Sequence, residues 1–283
     1  MLKVLVAALV IGSATVAQAE DVWMTIPPAP AMPAAVTSGM AEVNGISMYY
    51  ATYGDAEGTP ILMIHGGLAH ADTWAAQVAD LSQDHRVIVA DTRGHGRSTN
   101  DGTQLTVDLL ATDYLALLDT LGVDKVHLVG WSDGANIGYS LSLTHPERLV
   151  SHFAHAGNVT LAGVDPTVGE DAVFGAYIPM MAAEYAKMAP NPGEWDAFVA
   201  NISVMWFSDK PNGIEALADV KVPTLVVHSQ YDEAILAEHS AAIAAAIPGA
   251  RLLTLENLSH FASLQDPAAY TAAIRTWLDE QPG

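Results

Sequence analysis

The residues with the clearest chemical potential are Gly130-Trp131-Ser132-Asp133-Gly134, where a serine stands between two glycines. Residues 125–129 before this motif have the character of a short buried strand, and residues 135–144 after it carry small and apolar side chains at helical spacing. A serine on a sharp strand-to-helix turn is the nucleophile-elbow pattern, and flanking side chains larger than glycine would collide with the strand and helix. The motif predicts that Ser132 is a nucleophile, with a plain strand–helix turn as the alternative.

A serine nucleophile needs a base that takes its proton, and the chain contains eleven histidines. In an open α/β sheet, reacting groups lie at the carboxyl ends of the strands. His260 follows a predicted strand at 251–255, and Asp232 lies just beyond a predicted strand at 223–228. The order Ser132, Asp232, His260 is the nucleophile–acid–base order of this architecture. We predict that Ser132 attacks, His260 transfers the proton, and Asp232 orients the imidazole and stabilises its charge.

An oxyanion hole requires backbone N–H groups directed at the developing negative charge. One donor is expected from Asp133, the residue after the nucleophile. The second is expected from the loop His65-Gly66-Gly67-Leu68, which follows an apolar run at 60–64. Gly67 is the best candidate because glycine lets the backbone approach the substrate oxygen closely, and Leu68 is its nearest competitor. The alternative for this loop is a flexible strand exit.

The segments that would position these groups alternate between strands and helices. An Asn44-Gly45 turn predicts a β-hairpin, and continuous apolar runs predict strands that are covered on both faces. The 283 residues suffice for one large domain with an insertion, or for two small domains. The predicted fold class is α/β, a doubly wound and mostly parallel sheet, with its core at residues 41–156 and 221–283.

Residues 157–220 interrupt this alternation, because they lack a clear strand and are rich in methionine and aromatic residues. We predict a helical lid insertion whose apolar side faces a substrate pocket; the alternative is that these side chains fill a small core of their own. The residues expected to contact substrate are Leu68, Trp131, Asp133, Met180 and Trp206.

The pattern of the N-terminal residues predicts that the protein is exported. Residues 1–19 combine Lys3, an apolar run at 4–12 and a small-x-small site ending at Ala19, which is typical of a secretory signal peptide. We expect cleavage after Ala19, a periplasmic or secreted product and no stable membrane span after cleavage; the alternative is an uncleaved anchor. Residues 20–40 contain four prolines and predict an extended arm on the surface.

The composition and net charge limit the classes of molecule that this chain is expected to bind. The formal net charge is −21, and it becomes −22 when Lys3 is removed with the signal peptide. Such a chain repels nucleic acid and anionic lipid, and its field favours neutral or cationic small molecules. There is no cysteine, which excludes disulfides and thiolate metal sites. His152 and His155 lie three apart on a predicted strand and so point to opposite faces, and neither a metal nor a cofactor is expected.

Taken together, the motifs resemble those of the α/β-hydrolase superfamily, over residues 41–280. They are His65-Gly66-Gly67, Asp91-Thr92-Arg93-Gly94-His95-Gly96-Arg97-Ser98, the elbow, Tyr231-Asp232 and Ser259-His260-Phe261. The resemblance implies a serine hydrolase that cleaves a small carboxylic ester through an acyl-enzyme intermediate, and the predicted signal peptide implies that it is exported. A lactonase or a carbon–carbon bond hydrolase with the same triad, and a non-catalytic binding protein of the same fold, are the alternatives.

The resemblance also assigns two further roles. The stretch from Asp91 to Ser98 is implied to be a structural loop, so Arg93 and His95 are expected to be structural. The elbow itself resembles the valacyclovir-hydrolase-like group, in which the aspartate after the serine holds a substrate amino group. For Asp133 the alternative role is to cap the N-terminus of the elbow helix.

Overall fold

A mostly parallel sheet of eight strands forms the centre of the computed structural model, which describes residues 21–208 and 213–281; the predicted signal peptide lies outside the described residues. The strands are β1 (Thr37–Val43), β2 (Ile46–Tyr53), β3 (Ile61–Ile64), β4 (Val87–Ala90), β5 (Val126–Trp131), β6 (Leu149–His155), β7 (Thr224–Ser229) and β8 (Arg251–Leu255). Their spatial order is β1-β2-β4-β3-β5-β6-β7-β8. The β1–β2 and β2–β4 pairs are antiparallel and the others parallel. The predicted doubly wound sheet is confirmed.

Helices connect the parallel strands. They are α1 (Ala75–Leu81), α2 (Val107–Thr120), α3 (Asp133–Thr144), α4 (Ala172–Met188), α5 (Trp195–Trp206), α6 (Ala237–Ala246), α7 (Ala262–Gln265) and α8 (Pro267–Asp279). Short 3-10 turns lie at Val22–Met24, Ala71–Trp74, Pro146–Arg148, Leu161–Gly163, Val168–Glu170, Pro192–Glu194 and Glu215–Asp219. Thr106, Asp171 and Asp266 cap α2, α4 and α8, because each side chain accepts a hydrogen bond from a first-turn amide at 2.8 to 3.1 Å.

Two buried histidines of β6 show which helices cover which face of the sheet. The His152 ring packs against Gly138 of α3, where a Cβ would lie only 2.1 Å from Nε2. The His155 ring instead bonds to the Tyr270 hydroxyl of α8 at 3.1 Å, between Nδ1 and Oη. Because the two side chains point to opposite faces, as predicted, α3 and α8 lie on opposite sides of the sheet.

Two predicted boundaries need correction. Residues 37–40, assigned to the surface arm, belong to β1, and Thr37 pairs with Thr52 of β2. The last proline of the arm is Pro33, so every amide of residues 37–40 is available for pairing. The sequence also predicts a helix across residues 234–246, but α6 begins at Ala237 because the amides of Ala234 and Ile235 donate to the Asp232 side chain.

The segment between β6 and β7 is helical where it is described, as predicted, and contains α4 and α5. Tyr185 and Phe198, one from each helix, stack with ring centroids 5.6 Å apart. Both rings belong to the same hydrophobic core as the sheet, and Phe198 also meets the ring of His95 edge-on with centroids 4.6 Å apart. Part of the aromatic content of this segment therefore packs onto the main core. In the described part of the chain, no helix is both long enough and apolar enough to cross a membrane.

Candidate active site

Ser132 occupies a strained turn between β5 and α3. Its backbone has φ 56° and ψ −118°, and its amide donates to the carbonyl of His155 at 2.8 Å. A Cβ at Gly130 would lie 2.5 Å from the Gly134 carbonyl carbon, and one at Gly134 would lie 2.1 Å from the carbonyl oxygen of Ile64. The turn therefore excludes side chains at both glycine positions, which is the geometry that the elbow motif predicts.

Asp232 and His260 form a buried pair behind the serine. Asp232 Oδ1 lies 3.0 Å from His260 Nδ1 and also accepts hydrogen bonds from the amides of Ala234 and Ile235 at 3.0 and 2.9 Å. The side chains of His260 and Asp232 are 4% and 0% exposed. With Nδ1–H donating to the carboxylate, Nε2 is left as the proton-accepting nitrogen.

The charges around His260 favour its protonated, imidazolium form. Burial by itself lowers the pKa of His260, but the carboxylates of Asp232, Glu233 and Asp133 act in the opposite direction, so the pKa is raised from 6.5. Burial alone would raise the pKa of Asp232, yet interaction with His260 holds it below its ordinary value. Asp232 is therefore ionised and stabilises the imidazolium form of His260.

Ser132 and His260 open onto one cavity of about 580 Å³. Its walls include Gly67, Leu68, Trp131, Asp133 and Trp206, so every residue predicted to contact substrate lines it except Met180. Asp232 lies behind His260, outside the cavity wall.

Met180 is predicted to contact substrate, but the structure places it elsewhere. The residues of α4 that face the cavity include Phe174, Tyr177 and Ile178, at the i, i+3, i+4 spacing of one helical face. Met180 stands about 200° around the helix from Ile178 at 3.6 residues per turn. It is partly buried against the hydrophobic core and does not line this cavity, so the structure does not place it in contact with substrate.

The loop after β3 is held firmly beside the serine. The Tyr177 hydroxyl of α4 donates to the Gly67 carbonyl at 2.8 Å, and Leu68 adopts φ 64°. A Cβ at Gly67 would lie 2.4 Å from the Trp206 ring and 2.6 Å from Asp133 Oδ2, so only glycine fits. The loop is packed on both sides and is not a flexible strand exit. The oxyanion role of Gly67 stays a prediction.

Asp133 lines the cavity and is almost fully buried. Oδ2 accepts a hydrogen bond from the indole N–H of Trp206 at 2.7 Å, and the Asn136 amide lies 3.5 Å from Oδ1. The Asn136 side-chain oxygen Oδ1 in turn accepts a hydrogen bond from the backbone N–H of Asn158 at 2.7 Å. Asp133 thus links the elbow to the end of α5. Sequence reasoning named both Asp133 and Trp206, but it did not predict the bond between them.

Glu233 is a site residue that the sequence interpretation missed. One of its carboxylate oxygens accepts a hydrogen bond from the backbone amide of His260 at 3.0 Å, and the other lies 3.4 Å from the Ser259 hydroxyl. Burial raises the pKa of this carboxyl group. The only sequence signal was its position directly after Asp232.

The loop from Asp91 to Ser98 is structural, as the resemblance implies. Asp91 is fully buried and accepts hydrogen bonds from the amides of Ala71 and Arg97 at 2.7 Å. Arg93 forms a buried ion pair with Asp113, with 2.7 Å between Nε and Oδ2. These contacts fix the loop to the 3-10 turn at Ala71–Trp74 and to α2, and none of residues 91–98 lines the cavity. Within residues 21–208 and 213–281, no cluster of three or more histidine or acidic side chains could hold a metal ion.

Comparisons with known proteins agree with this architecture. A family model for the alpha/beta hydrolase fold matches residues 59–178. A putative carbamate hydrolase of Pseudomonas savastanoi pv. phaseolicola is 29% identical over 250 residues, which cover 78% of this chain and 95% of that protein. The rhodomycin D methylesterase of Streptomyces peucetius is 27% identical, with 81% and 94% covered. The solved structure of Est816, described as an N-acyl homoserine lactone degrading enzyme, has a TM-score of 0.67 at 28% identity, covering 84% of this chain and all of that one.

Proposed function

We propose that this chain, which has the α/β-hydrolase fold and is similar to hydrolases of that superfamily, cleaves a small carboxylic ester through an acyl-enzyme intermediate. The observation that carries the proposal is the strained Ser132, which shares a cavity with His260 while His260 Nδ1 lies 3.0 Å from Asp232. A binding protein would have no need for a buried, oriented imidazole beside a strained serine.

In the first half of the reaction, Ser132 Oγ attacks the ester carbonyl while its proton passes to His260 Nε2. The new O–C bond creates a tetrahedral oxyanion, which the backbone N–H groups of Gly67 and Asp133 stabilise. Asp232 balances the imidazolium charge. His260 then returns its proton to the alkoxide of the leaving group as the C–O bond breaks, so the alcohol departs and the acyl group stays on Ser132.

In the second half, water takes the place of the alcohol. His260 accepts a proton from this water as its oxygen attacks the acyl carbonyl. When the second tetrahedral intermediate collapses, the bond to Ser132 Oγ breaks and His260 gives the proton back to the serine. The carboxylic acid product leaves, and the site returns to its starting state without a further reactant.

The cavity supports a substrate of modest size that is neutral or cationic. Its volume of about 580 Å³ falls within the range of small-molecule sites, and aromatic side chains such as Trp131, Phe174 and Tyr177 form much of the wall. The chain carries a formal net charge of −21, and two acidic residues, Asp133 and Asp165, line the cavity. Anionic acyl groups would enter this field against electrostatic repulsion.

We further propose that Asp133 binds a positively charged amino group of the substrate. Its Oδ2 lies beside the loop at Gly67, where negative charge would develop on the ester oxygen. A carboxylate there opposes the oxyanion unless a cation offsets its charge. The testable comparison is alanine methyl ester against methyl propionate, in the wild type and in Asp133→Asn. We expect the preference for the amino ester to fall by about 10-fold or more in the variant. An unchanged preference would exclude the amine-binding role.

Lactone opening is the second candidate, because a lactone is a cyclic ester that the same residues can open. It is supported by the similarity to Est816, whose description is of a lactone-degrading enzyme. Ring opening of acyl homoserine lactones, followed by acid release in a pH-stat, tests it directly. Activity on lactones with none on open esters would replace the ester proposal.

A panel of p-nitrophenyl esters of increasing acyl length tests the main proposal. We expect turnover of the short esters, and a loss of about 10⁶-fold in kcat for Ser132→Ala by analogy with other triads. Absence of turnover on esters and lactones alike would contradict it. Carbon–carbon bond cleavage by the same residues, tested with a vinylogous diketone, and non-catalytic binding would then be the alternatives.

We also propose that the protein is exported, on the strength of Lys3, the apolar run and the Ala17-Gln18-Ala19 site. The test is fractionation of expressing cells, with the N-terminal residue determined by mass spectrometry. We expect a mature chain that begins at Glu20 in the periplasm or the medium. Retention of the full-length chain in the cytoplasm would contradict the proposal.

A further inference from the structure

The N-terminal arm, residues 21–36, lies against the loop that carries the candidate catalytic acid. The indole of Trp23 stacks on the ring of Tyr231, with centroids 4.5 Å apart and planes 26° from parallel. Tyr231 directly precedes Asp232, and its amide donates to the Leu258 carbonyl at 2.9 Å. The arm therefore covers the point at which the loops after β7 and β8 meet.

A single buried side chain joins the arm to the loop that carries the base. Gln265 of α7 donates from Nε2 to the carbonyl of Thr25 at 2.8 Å and lies 3.3 Å from that of Trp23. The same amide nitrogen donates to the Ser259 hydroxyl at 2.8 Å, and Gln265 Oε1 accepts from the Ser259 amide at 2.8 Å. Both ends of the Gln265 amide are thus used, and it is only 8% exposed.

The chain of contacts continues from Ser259 to the imidazole. The Ser259 hydroxyl lies 3.4 Å from Glu233, and Glu233 accepts from the His260 amide at 3.0 Å. Each link is a hydrogen bond to a group that is at least partly buried, where an unmade bond is costly and the geometry is correspondingly fixed. Displacement of the arm would remove the two backbone carbonyls that accept from Gln265 Nε2, leaving one of its N–H groups unpaired, and would loosen the support of His260.

We propose that the N-terminal arm positions His260 for catalysis, with Trp23 and Gln265 as positioning residues. This inference rests on the proposed serine-hydrolase function. No described residue of the arm lines the catalytic cavity, so the arm acts on the rate of the chemical step and leaves substrate binding unchanged. A displacement of about 1 Å in a catalytic group can cost 10²-fold in rate.

The test is the pre-steady-state burst with p-nitrophenyl acetate in the wild type, Trp23→Ala and Trp23→Phe. The rate constant of the burst reports positioning, whereas its amplitude reports the fraction of folded, active enzyme. For Trp23→Ala we expect the rate constant to fall by about 10-fold at unchanged amplitude and KM. Trp23→Phe keeps a ring on Tyr231 and should recover most of the rate.

Met24→Ala is the matched control, because Met24 lies in the same turn and is 54% exposed. It should leave the rate constant and the amplitude unchanged. If Trp23→Ala lowers only the amplitude, the arm merely stabilises the fold and the positioning role is wrong. A Trp23→Ala rate constant equal to that of the wild type would overturn it as well.

Hydrogen exchange separates failure of this inference from failure of the proposed function. We expect amides of residues 257–261 to exchange at least several-fold faster in Trp23→Ala than in the wild type and in Met24→Ala. If the wild type turns over neither esters nor lactones, the proposed function fails, and the exchange rates still decide whether the arm holds the His260 loop. Unchanged exchange in Trp23→Ala would overturn the inference whatever the activity.

Discussion

The indole N–H of Trp206 donates a hydrogen bond of 2.7 Å to Oδ2 of Asp133, the residue that follows the candidate nucleophile. The contact joins the last residue of α5 to the first residue of α3, so the insertion and the elbow share a charge-assisted bond at the cavity wall. Asp133 is only 6% exposed, which limits how far water can replace the indole.

A double-mutant cycle on this pair should show strong coupling. We expect Asp133→Ala and Trp206→Phe to be non-additive in the free energy of unfolding by about 1–3 kcal/mol, because either change removes the same charge-assisted bond. Phe207→Leu is the control, since Phe207 is the next residue and is 62% exposed. Denaturant unfolding of the four proteins gives the coupling. Additivity within about 0.5 kcal/mol would show that the bond contributes nothing in solution.

The acid side of the pH–rate profile should respond to Glu233. The base must be neutral to act, so kcat/KM falls as pH drops through the pKa of His260, which is raised from 6.5. The Glu233 carboxylate contributes to that rise, and Glu233→Gln removes its charge while keeping an oxygen that can accept from the His260 amide. We therefore expect the acid limb to move to lower pH in the variant.

Glu256→Gln provides the control for this shift. Glu256 lies on the loop before His260, but its side chain is exposed to solvent, where charge effects are screened. The Glu256→Gln change should shift the acid limb of the pH–rate profile much less than Glu233→Gln does. A limb that moves to higher pH in Glu233→Gln, or that moves equally in both variants, would contradict the electrostatic assignment.

The buried pair of Arg93 and Asp113 should contribute heavily to stability. Their side chains are 1% and 0% exposed, so Arg93→Met strands a buried carboxylate, at a cost of about 3–5 kcal/mol. Arg251→Met removes the surface pair with Glu280, whose partners are 52% and 43% exposed, and should cost about 1 kcal/mol or less. Urea unfolding compares the two. Equal costs would show that burial of the first pair is not maintained in solution.

The candidate site could be predicted from the sequence to the extent that local pattern and topology define it. Ser132 follows from the two flanking glycines. Asp232 and His260 follow from the rule that reacting groups stand at the carboxyl ends of parallel strands, which needs only the strand boundaries. The strands predicted at 60–64, 125–129, 223–228 and 251–255 agree with β3, β5, β7 and β8 within two residues, because buried parallel strands are continuous apolar runs.

The remaining features depend on how distant segments pack, which periodicity does not encode. Met180 does not line the cavity, because the packing of α4 against the core decides which face of the helix meets the cavity. The bond between Trp206 and Asp133, and the stacking of Trp23 on Tyr231, each join segments far apart in the chain. The helical pattern after β7 also predicts an earlier start for α6 than the structure has. The amides of Ala234 and Ile235 donate to Asp232, so the helix begins at Ala237.

The central claim is that Ser132 carries the acyl group, and rapid acid quench followed by peptide mass spectrometry tests it most directly. Wild-type protein mixed with p-nitrophenyl acetate should carry about one acetyl group per chain, on the peptide that contains Ser132, before the steady state is reached. The Ser132→Ala variant should carry none on that peptide and release no burst of p-nitrophenol. Turnover by the wild type without an acetyl group on Ser132, or equal turnover by the variant, would contradict the account.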